Sequence, residues 1–105
     1  MHNYSQSELM QSVLEPLLDD FTYWFERAQA LLEAHELPNL TTEQQADLLA
    51  RIHQASQEVN AAIALFRATG RQAGIDPASV TRWHHLVAEY WRVSIDYRAS
   101  RADGL

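Results

Sequence analysis

Three long stripes of large apolar residues at helical spacing, with glycine and proline mainly in the gaps between them, constrain the fold of this chain most. Apolar residues that recur every three or four positions mark one face of an α-helix. Short connections make neighbouring helices antiparallel. We therefore expect an all-α, up-down-up bundle of three helices, forming a single domain over residues 1–105 with frayed ends at 1–5 and 100–105.

The first helix contains a proline, and the sequence leaves its effect open. The helix is predicted to start after Ser5, which forms a capping-box pattern with Glu8, and to reach about Glu36. Pro16 lies inside it and cannot donate a hydrogen bond to the carbonyl of Ser12. We expect either a kink or a break there, and a break would raise the count to four helices.

The start signals of the other two helices are local. Thr41 or Thr42 can cap the second helix, with Gln44 and Gln45 as reciprocal partners. The dipeptide at 76–77, an aspartate followed by a proline, is typical of an N-cap residue and the first helical position of a third helix. The aromatic residues expected to dominate the core are Phe21, Trp24, Phe66, Trp83 and Tyr90.

The charges are unevenly distributed along the chain. The net charge is -6, all eight cationic side chains are arginine, and lysine is absent. Residues 1–50 hold nine acids and one arginine, whereas residues 51–105 hold five acids and seven arginines. This pattern predicts that an acidic first helix faces a more basic last helix within one bundle, or that the complementary ends dock between subunits.

Composition excludes several classes of protein. Without cysteine there is no disulfide, thiol nucleophile or cysteine-based zinc site, which is compatible with a cytoplasmic location. The longest unbroken apolar run, 61–66, is too short to insert into a membrane. An acidic net charge disfavours nucleic-acid binding, which depends on arginine and lysine neutralising phosphates. We expect a soluble protein.

Metal-binding and catalytic patterns are weak. No histidine follows an acid by three residues, which excludes the di-iron carboxylate motif. His85 and Glu89 lie one helical turn apart, but both belong to a predicted solvent stripe with Arg82, so an exposed pair is favoured over a metal half-site. No nucleophile elbow or phosphate-binding glycine loop is present. We expect no cofactor, no metal and no enzymatic activity.

A set of large side chains falls outside the predicted core. His84, Trp91 and Ile95 lie at the shoulder of the third helix, about 100 to 140 degrees from the centre of its core face by helical geometry. Leu65 points away from the apolar stripe of the second helix, and Tyr23 points outward from the first. Aromatic residues are enriched at protein interfaces, so these five positions form the candidate interface.

Three stretches of the sequence stand out together: residues 14–27, LEPLLDDFTYWFER, residues 43–52, EQQADLLARI, and the pair Trp83 and His84 followed by Trp91. They resemble a family of short cyanobacterial proteins of unknown function. The resemblance covers about residues 8–98. It implies a photosynthetic bacterial source and an intracellular location, and it carries no catalytic motif.

Two functions of different classes are compatible with these observations. The leading hypothesis is a non-enzymatic interaction or assembly module that acts as a homo-oligomer, with a dimer favoured, and binds a protein partner that the sequence does not identify. The alternative is a carrier of a small ligand or tetrapyrrole pigment, held between the first and last helices against Trp24, Trp83 and His84. Assembly of a photosynthetic complex is a further alternative that rests on the implied source.

Overall fold

Three helices make up the fold. The structure, a computed structural model, describes residues 6–70 and 74–103, in which α1 spans Gln6–Ala34, α2 spans Thr42–Ala68 and α3 spans Pro77–Asp103. No strand occurs in this described part of the chain. The predicted all-α architecture is confirmed. Of the ends expected to fray, 1–5 and 104–105 lie outside the described residues, while α3 continues through 100–103.

Helix α1 runs through Pro16 without interruption. The break that was one of the two expectations at this position is therefore wrong, and the helices number three. A proline inside a helix costs about 3 kcal/mol because it removes a hydrogen bond and crowds the preceding turn. Burial of the apolar stripe on both sides of it offsets that cost, since Leu18 is buried and Leu14 and Leu17 are half-buried. The helix ends at Ala34, two residues earlier than predicted.

Contacts between the helices establish the up-down-up order. Arg51 of α2 binds Glu89 of α3, and Glu58, two turns later in α2, binds Arg82, two turns earlier in α3. These two helices are therefore antiparallel. The start of α2 also bonds to the end of α1 through Gln45, as antiparallel neighbours do.

Helices α1 and α3 run in parallel beside each other. The ring of Phe21 packs edge-on against Trp83 at a centroid distance of 5.4 Å, and just after the end of α1 the ring of His35 lies 6.1 Å from that of Tyr97, farther along α3. The two helices run in the same direction because α2, which lies between them in the sequence, is antiparallel to both.

The core lies where the three apolar stripes meet. Of the five aromatic residues expected to dominate it, Trp24 is only half-buried, whereas the others are buried. His35, whose spacing would continue the apolar stripe of α1, is exposed because α1 has already ended. The largest fully buried side chains are those of Trp83, Phe25, Leu18, Ile52 and Val59.

Gln45 fastens the connection between α1 and α2. Its Nε2 donates to the carbonyl oxygens of Leu32, at 2.9 Å, and His35, at 2.7 Å, and its Oε1 accepts the backbone N–H of Leu37 at 3.0 Å. Carbonyls in the last turn of a helix lack partners within it, so a side chain that reaches them stabilises the helix end. Gln44, by contrast, forms the predicted capping box with Thr41.

The second connection also has the predicted capping features. Gly70 follows α2 with φ of 66°, a left-handed conformation that glycine adopts without steric cost. Asp76 caps α3, because its Oδ1 accepts the backbone N–H of Ala78 at 3.0 Å, and Pro77 is the first helical residue. Among the described residues, no helix is both long and apolar enough to cross a membrane.

Replacing Phe21 with alanine should lower the free energy of unfolding by about 3 to 5 kcal/mol, because it leaves a cavity beside Trp83 and Phe25. Urea unfolding followed by circular dichroism measures the loss. Val13→Ala on the same helix removes a side chain that is 61% exposed, and it should change stability by less than about 0.5 kcal/mol. Equal losses for the two variants would contradict the placement of Phe21.

Replacing Gln45 with alanine should cost about 1 to 3 kcal/mol, since two carbonyls and one N–H lose their partner at a partly buried turn. Gln54→Ala, also on α2, is the matched control. Its side chain makes only a 3.5 Å contact with Glu58, so stability should stay within about 0.5 kcal/mol of the parent. An unchanged denaturation midpoint for Gln45→Ala would contradict this role.

Candidate functional site

Four of the five candidate interface residues lie on the side of the bundle where α3 meets α1. His84, Trp91 and Ile95 are separated by seven and four residues, which places them on one stripe of α3. All three are exposed, as is Tyr23 on α1. We call the surface formed by these four residues and the neighbouring Trp24 the aromatic face.

Ring contacts connect the two helices at the centre of the aromatic face. Trp24 packs edge-on against Trp91 with ring centroids 5.2 Å apart and an interplanar angle of 82°. The ring of Tyr23 also packs edge-on against Trp24, with centroids 5.1 Å apart. Even with this contact, Trp91 remains 43% exposed, and Ile95 one turn later is 61% exposed. The three rings therefore form a row that is open to solvent along one edge.

Arg27 borders this row on α1. Its guanidinium donates to the hydroxyl of Tyr23 at 3.1 Å and its Cζ lies 5.5 Å from the centroid of the same ring. Cation–π contacts at exposed sites contribute about 0.5 to 1 kcal/mol, so this pair holds both side chains in place. The spacing of four residues brings them together on the helix surface.

His84 contacts the core through Phe21. The two rings are 4.9 Å apart in an edge-on arrangement, and Phe21 also contacts Trp83. Trp83 is 1% exposed, and its Nε1 donates to Glu58 of α2 at 2.9 Å, so its polar edge is turned away from α1. Of the residues proposed to hold a pigment, Trp83 is thus closed to solvent. Pigment binding itself stays a prediction.

Leu65 lies apart from the aromatic face. It is 56% exposed and lines a shallow groove of about 340 Å³ between α2 and the beginning of α3, together with Ile75 and Ser79. The structure therefore does not bring Leu65 together with the other four candidates, and its membership in an interface stays a prediction.

A row of ion pairs, which we call the polar seam, joins α2 to α3. Arg51 donates two hydrogen bonds to the Glu89 carboxylate, at 2.6 and 3.0 Å, and one to Asp47 at 2.9 Å. Glu58 accepts from Arg82 at 2.8 Å as well as from Trp83. Arg82 is exposed and Glu89 is partly exposed, as expected for members of the solvent stripe, and both also bind side chains of α2.

The polar seam perturbs the ionisation of its members. The hydrogen bonds that Arg51 donates to Glu89 lower the pKa of Glu89 below its ordinary value of 4.5, and the same bonds raise the pKa of Arg51. The carboxylate of Glu89 binds Arg51 with both oxygens and is not paired with His85 as the sequence favoured. Within residues 6–70 and 74–103, no group of three or more histidine, aspartate or glutamate side chains is placed to hold a metal ion.

The ion pairs between described residues join α2 to each neighbour, through the polar seam and through Glu33 of α1, whose Oε1 lies 3.1 Å from Nε2 of His53. That the acidic first helix and the more basic last helix attract each other stays a prediction. Aromatic stacking occupies the centre of that helix pair.

Most of the chain matches one known family. The chain belongs to the family described as "Protein of unknown function (DUF2605)", whose family model matches residues 4–99. The resemblance to a family of unknown function is confirmed, while the cyanobacterial source stays a prediction. The chain matches no curated protein and no solved structure. Its function therefore has to be argued from its own surfaces.

The pH dependence of stability should reveal the bond between Glu89 and Arg51. A carboxyl whose pKa is lowered in the folded state stabilises the protein above its unfolded pKa, and that stabilisation is lost as the pH falls through the folded value. We expect Glu89→Gln to be less stable than the parent at pH 7, by up to about 1 kcal/mol for a partly exposed pair. The difference should shrink below pH 4.5.

Asp96→Asn is the matched control for this measurement. Asp96 is an exposed carboxyl on the same helix without an ion-pair partner among the described residues, so the substitution should change stability little at either pH. Chemical denaturation at several pH values measures both variants. A difference between parent and Glu89→Gln that stays constant down to acid pH would contradict the assigned pairing.

Proposed function

We propose that this protein is a non-enzymatic interaction module that forms a homodimer through the aromatic face. The observation that carries the proposal is the exposed edge of Trp91, which remains 43% accessible although its ring already packs on Trp24. A tryptophan held in one orientation by a neighbouring ring loses little conformational freedom on binding, so its burial by a partner contributes most of its apolar area to affinity.

The composition of the aromatic face supports an interface. Tryptophan, tyrosine and arginine are the residue types most often found at the energetic centres of protein interfaces. Tyr23 and Trp91 supply the aromatic groups, Ile95 extends the apolar surface, and Arg27 lies at the edge. Lysine, which is depleted at interfaces, is absent from the whole chain.

The charges at the two edges of the aromatic face favour a second copy as the partner. Asp20 is exposed on α1 three residues before Tyr23, and Arg92 is exposed on α3 next to Trp91. Neither forms an ion pair among the described residues. A two-fold axis parallel to the helices would set the acidic edge of one copy against the basic edge of the other, since such an interface uses the same patch on both subunits. This arrangement is the docking between subunits that the uneven charge distribution suggested.

The polar seam supports a structural rather than a catalytic use of the charged residues in the groove between α2 and α3. Glu89 binds Arg51 with both oxygens, and Glu58 is shared between Arg82 and the indole of Trp83. Carboxylates satisfied in this way hold helices together and are poorly placed to transfer protons to a substrate. A protein without cysteine is compatible with the cytoplasm, which we propose as its location.

Trp91→Glu should convert the dimer into a monomer. Truncating the central residue of an interface, or giving it a charge, lowers the binding free energy by about 2 kcal/mol or more, which raises the dissociation constant of the dimer roughly thirtyfold. Sedimentation equilibrium over a concentration series measures the dissociation constant, with circular dichroism confirming that the variant keeps its helices. The substitution also removes the contact between Trp91 and Trp24, but the buried contact of Phe21 with Trp83 still joins α1 to α3, so the fold should remain intact.

Leu65→Glu is the matched control, since Leu65 is a large apolar residue that is 56% exposed on another side of the bundle. We expect it to leave the dimer unchanged. A parent protein that is monomeric at micromolar concentration would overturn the proposal. Equal weakening by both variants would show that the aromatic face is not the specific contact.

A further inference from the structure

A groove between α1 and α3 is lined by three arginines and no acid. It has a volume of about 390 Å³, and its charged lining residues are Arg27 from α1 and Arg98 and Arg101 from α3. The rest of its lining consists of Ala30, Leu31, Tyr90, Ser94 and Tyr97. We call it the arginine groove. In a chain with 14 acids and eight basic residues, three arginines without a carboxylate beside them are unexpected.

Each of these arginines is held by an uncharged neighbour. Arg98 donates to the hydroxyl of Ser94 at 3.2 Å, Arg101 lies over the ring of Tyr97 with its Cζ at 5.7 Å from the centroid, and Arg27 is held by Tyr23. A guanidinium has five N–H donors, so one such contact leaves most of them available. None of the three forms an ion pair within the described part of the chain, in contrast to the arginines of the polar seam.

Two tyrosine hydroxyls in the groove also lack a partner. Tyr90 is 5% exposed and Tyr97 is 9% exposed, and neither hydroxyl forms a hydrogen bond within residues 6–70 and 74–103. No buried polar side-chain atom of these residues is without a partner, so both hydroxyls retain access to solvent. Each hydroxyl therefore remains available as a donor to another molecule.

We propose that the arginine groove binds a small molecule that carries phosphate or several carboxylate groups. Arginine pairs with such oxyanions through parallel hydrogen bonds, and hydroxyl donors add to the same recognition. The volume lies within the range of about 300 to 1,000 Å³ that small-molecule sites occupy. Leu31 and the two tyrosine rings provide apolar walls for the organic part of the ligand. This site does not depend on self-association.

Titration with pyrophosphate, and in parallel with citrate, tests the proposal. Two-dimensional ¹⁵N–¹H NMR spectra at constant ionic strength should show saturable shifts concentrated at the amides of 94–101. Stronger binding of pyrophosphate would identify a phosphate ligand, and stronger binding of citrate would identify a polycarboxylate. The double variant Arg98→Gln/Arg101→Gln should weaken binding of the preferred anion about tenfold or more, because hydrogen bonds between charged groups are lost. Both side chains are exposed, so the helices should be unaffected.

Arg67→Gln is the matched control. It removes a positive charge from an exposed position of α2 that does not line the arginine groove, and the affinity should stay within a factor of two of the parent's. Shifts that rise linearly without saturation for both anions would overturn the proposal. A loss of affinity in Arg67→Gln as large as in the double variant would also overturn it, since it would indicate a general effect of charge.

Discussion

Burial of the Trp83 indole, with its N–H bound to a carboxylate, is the interaction on which the arrangement of the three helices depends. The indole is 1% exposed, and a buried N–H without an acceptor would cost about 1 to 3 kcal/mol. Glu58 of α2 accepts it at 2.9 Å, while Phe21 of α1 packs against the ring. One side chain of α3 thus contacts both other helices and fixes the rotation of α3 about its axis. With Trp83 directed inward, Trp91 is placed at the edge of the helix pair, about 80 degrees away by helical geometry.

Helix α3 contacts its two neighbours through different kinds of interaction. On the α2 side, the carboxylates and arginines of the polar seam bind one another, so few of their hydrogen-bonding groups remain available. On the α1 side, stacking between Trp24 and Trp91 makes the contact, and the arginines bind tyrosine and serine side chains instead of acids. This asymmetry is the reason that both proposed binding surfaces, the aromatic face and the arginine groove, occur on the same side of the bundle.

The sequence predicts the parts of this structure that depend on the period of one helix or on local capping. The three helices, the caps at Thr41 and Asp76, and the burial of Phe21 and Trp83 follow from such signals. Features that depend on which faces of the helices meet in the folded protein could not be predicted. Spacing places Leu65 outside the core, but only the packed helices show that it lies away from the aromatic face. The three hydrogen bonds of Gln45 and the pairing of Glu58 with Trp83 likewise join residues more than one turn apart, where helical periodicity contains no information.

The rate of hydrogen exchange at the three indole N–H groups tests this account most directly, because each tryptophan is assigned a different environment. Trp83 is buried and hydrogen-bonded, Trp24 is half-buried, and Trp91 is exposed. Exchange at the Trp83 indole should require opening of the bundle and be slower by orders of magnitude than exchange at Trp91. An indole signal of Trp83 that exchanges as fast as that of Trp91 would contradict the central role of its burial.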